Sequence, residues 1–170
     1  MAWLLAVPFV VFATPTSSSI LLGSAVAVVG LVIRGWAAGT IEKGTALATR
    51  GPYAYMRNPL YLGSFVVGIG LALAGGDWIW LLVFAAFFLA VYVPTVRQEA
   101  RELRELFGER YRAYAASVPA FTLRVTPYPG GPDQRAGFSW GRYLHYREWE
   151  AALGVLALVG VLALKVVLSG

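Results

Sequence analysis

The segment Gly51–Gly63, GPYAYMRNPLYLG, concentrates the polar side chains of this chain immediately before an apolar stretch. Pro59 suits the first turn of a helix, where its missing N–H would have no partner anyway. Arg57 and Asn58 therefore precede a helix N-terminus, whose free N–H groups and positive dipole end favour an anionic group. The segment predicts a binding site for an anionic ligand or cofactor. Its composition alone also fits an interfacial loop with a snorkelling arginine and membrane-surface tyrosines.

A second candidate element is the segment Arg97–Val118, in which apolar side chains recur at three- and four-residue steps. This spacing predicts an amphipathic helix, with Gly108 as a mild weak point. Glu99 falls one turn before Leu103, on the apolar stripe. A carboxylate there is costly unless it is paired or bound to something. Its expected partner is either a ligand or an arginine, Arg57 or Arg50.

Composition decides the class of protein that must hold these residues. Of the 170 residues, 58% are hydrophobic and only 14% are charged, whereas soluble domains carry roughly 25% charged residues. So small a body cannot bury this apolar excess, so much of it must face lipid. We predict an all-α, polytopic transmembrane protein that forms a single domain, residues 1–170, with a cytoplasmic amphipathic helix.

Several kinds of site are excluded by the residues that the chain lacks. It has no cysteine and one histidine, His145, so thiolate nucleophiles, disulfides, zinc–thiolate sites and multi-histidine metal sites are ruled out. The net charge of +5 comes from membrane-flanking segments, and no separate basic run predicts nucleic-acid binding.

Five apolar stretches are candidate membrane spans. The first, at ~1.5 Å per residue, covers only roughly 20 Å of the ~30 Å hydrocarbon core, and we interpret it as a tilted or extended helix. Gly and Asp favour a tight turn at 75–77, which predicts a hairpin of the third and fourth spans. The predicted spans are Met1–Ala13, Ile20–Ala38, Leu60–Ala74, Trp78–Val96 and Trp149–Leu168.

The basic residues predict the orientation. Lys43, Arg50 and Arg57 lie in the loop after the second span, and nine arginines lie between residues 97 and 147. The loops at 14–19 and 75–77 carry none. By the positive-inside rule both basic segments are cytoplasmic, which predicts an integral protein of the inner or plasma membrane with its site facing the cytoplasm. Arg34 and Lys165, near span ends, are interpreted as snorkelling side chains.

The two polar segments together resemble the isoprenylcysteine carboxyl methyltransferase and phospholipid methyltransferase superfamily. The family pattern G-x-Y-x-x-x-R-H-P-x-Y-x-G corresponds to GPYAYMRNPLYLG, and the acidic-helix pattern corresponds to EARELRELFGERYRAYAASVP, residues 99–119. The resemblance covers about residues 40–125, which we take as a methyltransferase-like core. Residues 126–170 would then be a linker and an additional C-terminal span.

The resemblance implies an enzyme that transfers the methyl group of S-adenosylmethionine to a membrane-resident lipid or small hydrophobic acceptor. Carried over by position, Arg57 and Asn58 would be catalytic. The residues expected to line the cofactor pocket are Thr45, Ala46, Leu47, Ala48, Tyr53, Asn58, Pro59, Leu60, Tyr61 and Glu99.

The sequence departs from the family pattern at two positions. Asn58 replaces the family histidine and Ala100 replaces a second glutamate; an amide donates and accepts hydrogen bonds but does not shuttle protons. Two alternatives therefore stay open. One is an NADPH-dependent membrane reductase of the steroid type, in which an acidic residue normally stands where this chain has Ser64. The other is a membrane scaffold or transport protein that has lost activity.

Overall fold

A computed structural model describes residues 3–42, 46–129 and 137–169 of the chain. These residues form helices and connecting loops without a β-strand, which confirms the predicted all-α membrane fold. The elements in chain order are α1 (Trp3–Phe12), α2 (Ser17–Thr40), a 3₁₀ turn (Gly51–Ala54), α3 (Pro59–Ala74), α4 (Ile79–Ser117), α5 (Trp140–His145) and α6 (Trp149–Ser169).

Helices α2, α4 and α6 are long and apolar enough to cross a membrane, and α3 is a shorter apolar helix of 16 residues. They correspond to four of the five predicted spans. The predicted first span is represented by α1, whose 10 described residues extend for about 15 Å, half the thickness of the hydrocarbon core. Helix α1 alone is therefore too short to cross.

Antiparallel packing of α2 against α3 forms the centre of the bundle. Glycines on each helix face backbone atoms of the other, so the two backbones approach closely, as in small-residue contacts of membrane helices. A Cβ atom added at Gly30 would lie 2.5 Å from Val67 N, and one added at Gly70 would lie 2.5 Å from Ala27 N. Side chains at these glycines would therefore separate the helices.

Helix α6 packs beside α1 at the end of the bundle that holds the turn between α3 and α4. Leu162 is buried there against Phe9, Ala13 and Ala74. We interpreted Lys165 from the sequence as a snorkelling side chain. Its ammonium donates to the carbonyl oxygens of Val10 at 3.0 Å and Val11 at 2.7 Å. Lys165 thus satisfies carbonyls that the last turn of α1 leaves without helical partners.

Helix α4 continues from its apolar half directly into the predicted amphipathic segment, and its backbone breaks at Gly108. This residue has φ 53° and ψ −127°, a conformation that residues with a Cβ rarely adopt. Gly108 is therefore a break in the helix and not the mild weak point that we expected. The break redirects the following residues toward the segment between α2 and α3.

We expect Gly30→Ala to lower the thermal unfolding midpoint of the purified protein in detergent. Its added methyl group meets the α3 backbone, and such overpacking typically costs about 1–3 kcal/mol. Gly154→Ala on α6 is the matched control, because nothing lies within 4 Å of its added Cβ. Alanine is the better helix former, so the control should unfold at the same temperature or slightly higher. Equal midpoints for the two variants would contradict the close packing of α2 on α3.

Candidate cofactor site at the basic end of the bundle

The segment between α2 and α3 is held in place by hydrogen bonds from residues that follow the break at Gly108. The amide of Arg57 donates to the carbonyl of Pro119 at 2.9 Å. The amides of Arg124 and Tyr128 donate to the carbonyls of Tyr55 and Ala54, at 3.0 and 2.9 Å. These bonds join two distant parts of the chain into one structure, which we call the cap: residues 46–58 together with residues 109–128.

A small apolar core supports the cap. Leu47 is buried against Tyr111, Tyr114 and Val118, and the hydroxyl of Tyr114 donates to the carbonyl of Tyr53 at 2.7 Å. The three residues from α4 and its C-cap belong to the apolar stripe that the sequence predicted. The stripe thus faces the cap, which positions the segment that leads into α3.

Tyr61 and Glu99, both predicted to bind the cofactor, are in direct contact. The Tyr61 hydroxyl donates to Oε1 of Glu99 at 2.6 Å, a length typical of a hydrogen bond to a charged oxygen. The ring of Tyr61 also packs edge-on against that of Tyr92, with centroids 5.3 Å apart. Among the described residues, Glu99 is therefore satisfied by a tyrosine from the first turn of α3 and not by Arg57 or Arg50, the arginines that the sequence offered.

Tyr53 lies beside this pair with its hydroxyl group unsatisfied. The residue is only 5% exposed, and its buried hydroxyl has no hydrogen-bond partner among the described residues. Burial, more than any other cause, raises the pKa of Tyr53 above its usual value. The neighbouring Tyr114, Glu99 and Glu148 raise that pKa further. A buried neutral hydroxyl without a hydrogen-bond partner is what a polar ligand would satisfy.

The two residues predicted to be catalytic make contacts within the cap. Nη1 of Arg57 donates to the hydroxyl of Tyr111 at 3.3 Å, while its buried Nε has no partner among the described residues. Nδ2 of Asn58 donates to the carbonyl of Ala120 at 3.1 Å, and Asn58 caps α3 without a side-chain bond to its first turn. Asn58 therefore ties the start of α3 to the end of the cap.

The remaining predicted cofactor residues lie along the same segment. Pro59 is buried as the first residue of α3, and Leu60 is partly buried beside it. Ala46 and Ala48 are partly buried on either side of the buried Leu47. Thr45 lies outside the described residues. Each described residue of the predicted set thus belongs to the cap or to the beginning of α3, apart from Glu99 on α4.

A polar cluster that the sequence did not predict lies one helical turn deeper in the bundle. Arg34 on α2 donates through Nε and Nη2 to Oε2 of Glu148, at 3.1 and 2.7 Å, and through Nη1 to the Ser64 hydroxyl. The side chains of Arg34 and Glu148 are 24% and 11% exposed. Arg34 is therefore held in a partly buried ion pair, a contact that its interpretation as a snorkelling side chain did not include. The signal available in the sequence was that a basic residue, Arg34, and an acidic residue, Glu148, both lie near the ends of predicted spans on the same side of the membrane.

An apolar cavity of about 440 Å³ begins at this polar cluster. Arg34, Ser64 and Tyr92 line its polar end, and Tyr92 is the residue whose ring contacts Tyr61. The cavity extends toward the opposite end of the bundle between α1, α3, α4 and α6, where the lining includes Leu71, Trp80, Phe84, Phe88 and Leu158. The candidate cofactor site and the apolar cavity thus adjoin at Tyr61 and Tyr92.

These features define a class: a helical membrane protein with a polar site at one end of the bundle and an apolar cavity leading from it. A family model narrows that class. The phospholipid methyltransferase family model matches residues 10–110, more than half of the chain, so the chain belongs to this family. The match spans α2 and α3, the cap segment between them, and α4 as far as the break.

Individual relatives carry two kinds of name. The chain is 30% identical over 79 residues to a protein-S-isoprenylcysteine O-methyltransferase of Schizosaccharomyces pombe, covering 46% of this chain and 34% of that protein. It is 35% identical over 112 residues to the cobalt-zinc-cadmium resistance protein CzcN of Cupriavidus metallidurans, covering 65% of this chain and 50% of that protein. It is also 35% identical over 108 residues to the nickel-cobalt-cadmium resistance protein NccN of Alcaligenes xylosoxydans xylosoxydans, covering 62% of this chain and 49% of that protein.

The chain spans half or less of the length of these curated relatives. No solved structure matches it. Within residues 3–42, 46–129 and 137–169, no group of three or more His, Cys, Asp or Glu side chains is placed to hold a metal ion.

We expect Gly108→Ala to loosen the cap. The alanine must adopt the backbone conformation of Gly108 at a cost of about 1–3 kcal/mol, or else redirect the helix. Hydrogen exchange measured by mass spectrometry should show faster exchange at the amides of Arg124 and Tyr128, by about tenfold for ~1.4 kcal/mol. Gly160→Ala on α6, which also has nothing within 4 Å of the added Cβ, is the control and should leave both amides protected. Unchanged protection in Gly108→Ala would show that the break does not hold the cap.

Proposed function

We propose that this protein transfers a methyl group from S-adenosylmethionine to a membrane-resident lipid or small hydrophobic acceptor. The observation that carries the proposal is the Tyr61–Glu99 hydrogen bond beside the unsatisfied hydroxyl of Tyr53. By the positive-inside rule we assign this end of the bundle to the cytoplasmic face of the inner or plasma membrane.

The residues of the site fit this cofactor. Glu99 uses one oxygen for Tyr61 and retains acceptor positions for the hydroxyl or amino groups of a ligand. The faces of Tyr61 and Tyr53 suit a sulfonium cation, and the Tyr53 hydroxyl offers a polar contact. The start of α3 and the Nε group of Arg57 suit the cofactor carboxylate. Residues 46–48, Asn58, Pro59 and Leu60 would form the wall of the pocket.

When bound, S-adenosylmethionine supplies an activated methyl group: its bond to sulfur breaks as the bond to the acceptor forms, which releases S-adenosylhomocysteine and the acceptor's proton. The chain's own task is then chiefly positioning and exclusion of water. Tyr61 lies where the polar site meets the apolar cavity, so it can orient both reactants. The amide of Asn58 neither gains nor loses a proton near neutral pH, so it cannot act as a base, and Arg57 would hold an anionic group. We therefore propose that the acceptor's proton leaves to the solvent at the polar end of the site, outside the space from which water is excluded.

The relatives support the chemistry and leave the acceptor open. The protein from Schizosaccharomyces pombe is named for methylation of a protein-bound isoprenylcysteine, and the family is named for phospholipids. The metal-resistance names of the other two describe a phenotype that a membrane methyltransferase does not explain by itself. The two methyltransferase names have in common an acceptor held in or at the membrane.

The proposal is tested by calorimetry with S-adenosylhomocysteine on detergent-purified protein. We expect the wild type to bind, and Glu99→Gln and Tyr61→Phe each to bind at least about tenfold more weakly, since hydrogen bonds to charged groups contribute about 1.5–3 kcal/mol. Glu109→Gln is the matched control. It removes the same charge from the same helix, but from a carboxylate that pairs with Arg112 and not with Tyr61.

Three other outcomes would overturn the proposal in distinct ways. No binding by the wild type would favour a scaffold or transport role. Binding of NADPH in place of S-adenosylhomocysteine would favour the reductase alternative. Equal affinity of Glu99→Gln and Glu109→Gln would show that the Tyr61–Glu99 pair is not part of the cofactor site.

A further inference from the structure

The apolar cavity beside the candidate cofactor site has a polar end that is electrically neutral. Arg34 lines this end, and Glu148 pairs with Arg34 without lining the cavity itself. The described residues use three of the five N–H groups of the guanidinium, two for Glu148 and one for Ser64. Two N–H donors remain for a ligand oxygen, and the positive charge is already balanced.

The rest of the cavity is hydrocarbon in character. Its walls beyond Ser64 and Tyr92 are formed by aliphatic and aromatic side chains such as Leu71, Phe84 and Leu158. A methylene group takes up about the same volume as one water molecule does in the liquid, roughly 30 Å³. A cavity of 440 Å³ therefore has room for about 15 methylene groups. The volume of this partly open cavity thus matches one hydrocarbon chain.

We infer that the cavity between α1, α3, α4 and α6 binds a single-chain amphiphile whose head is an uncharged oxygen group, such as a hydroxyl. The hydrocarbon chain would lie along the cavity and the head oxygen would accept hydrogen bonds from Arg34. This deepens the proposed function, on which it rests, because it names the class of the methyl acceptor. The head would reach the end of the cavity where Tyr92 contacts Tyr61.

Charge decides against the other head groups. An anionic head would place a second negative charge beside Glu148, and a cationic head would stand next to Arg34. In either case an unbalanced charge would be held in a partly buried, mostly apolar space, which costs several kcal/mol. An uncharged oxygen accepts the remaining N–H donors without that cost.

Helix α6 becomes part of the site on this account. Glu148 precedes α6, and Ala151 and Leu158 on α6 line the cavity. All three lie beyond residue 110, where the match to the family model ends. The C-terminal helix would therefore contribute to the choice of acceptor, while Tyr53, Tyr61 and Glu99 of the cofactor site lie in the matched region.

The test uses the full chain in nanodiscs of dimyristoylphosphatidylcholine and a tritiated 1-hexadecanol that carries a photoreactive diazirine on its chain. Labelled peptides are mapped, and labelling is competed with three unlabelled single-chain compounds: 1-hexadecanol, hexadecanesulfonate and hexadecyltrimethylammonium. Farnesol, in a fourth arm, distinguishes a branched isoprenoid chain from a straight one. We expect saturable labelling of cavity residues and at least tenfold stronger competition by the alcohols than by either ion.

Two variants separate recognition from folding. Glu148→Gln leaves Arg34 without a balancing charge. The preference for alcohols over the anionic competitor should therefore reverse, and hexadecanesulfonate should compete best. A merely structural role of Glu148 would not produce that reversal. Ala151→Phe fills the polar end of the cavity and should lower labelling at least fivefold. Ala157→Phe, on the exposed face of the same helix, should leave labelling unchanged.

The outcomes of this test are distinguishable from those of the cofactor test. Equal competition by all compounds, or equal labelling of Ala151→Phe and Ala157→Phe, would overturn this inference while binding of S-adenosylhomocysteine stood. Saturable alcohol binding without binding of S-adenosylhomocysteine would overturn the proposed methyl transfer and leave the cavity as a lipid-binding site.

Discussion

Close contact between the backbones of α2 and α3 is the constraint on which the rest of the structure depends. The glycines at the contact allow no side chain between the helices, and their register sets which residues face one another at the basic end. Arg34 on α2 thereby reaches Ser64 on α3, and Asn58 and Tyr61 are placed at the start of α3 beside the cap. The polar cluster and the candidate cofactor site are both consequences of this one packing arrangement.

A second feature, the break at Gly108, completes the site from the other side. Glu99 lies on α4 before the break, where it meets Tyr61, and the tyrosines after the break pack under the cap. One helix therefore contributes to two sides of the site because its direction changes at a single glycine. The polar site and the partly open apolar cavity then meet at Tyr61 and Tyr92, an arrangement suited to the proposed reaction between a water-soluble cofactor and a lipid-like acceptor.

Much of this could be predicted from the sequence, since apolar length and the spacing of Leu103, Tyr111 and Tyr114 depend on local pattern alone. The sequence placed Tyr61 and Glu99 in one pocket, but it offered a ligand, Arg57 or Arg50 as the partner of Glu99, so the hydrogen bond from Tyr61 was not predicted. The Arg34–Glu148 ion pair could not be predicted, because 114 residues separate its members and their contact depends on how α6 docks. The backbone conformation of Gly108 could not be predicted either, since a glycine within a helical pattern signals either a tolerated residue or a break.

The most direct test of the account is transfer of label from methyl-tritiated S-adenosylmethionine into organic-soluble material. The protein would be placed in nanodiscs made from the total lipid extract of the expressing cells. The account predicts radioactivity in the organic phase with the wild type and its loss with Glu99→Gln, while Glu109→Gln behaves as the wild type. Radioactivity that is absent with the wild type, or unchanged in Glu99→Gln, would contradict the central claim that Tyr61 and Glu99 form the methyl-transfer site.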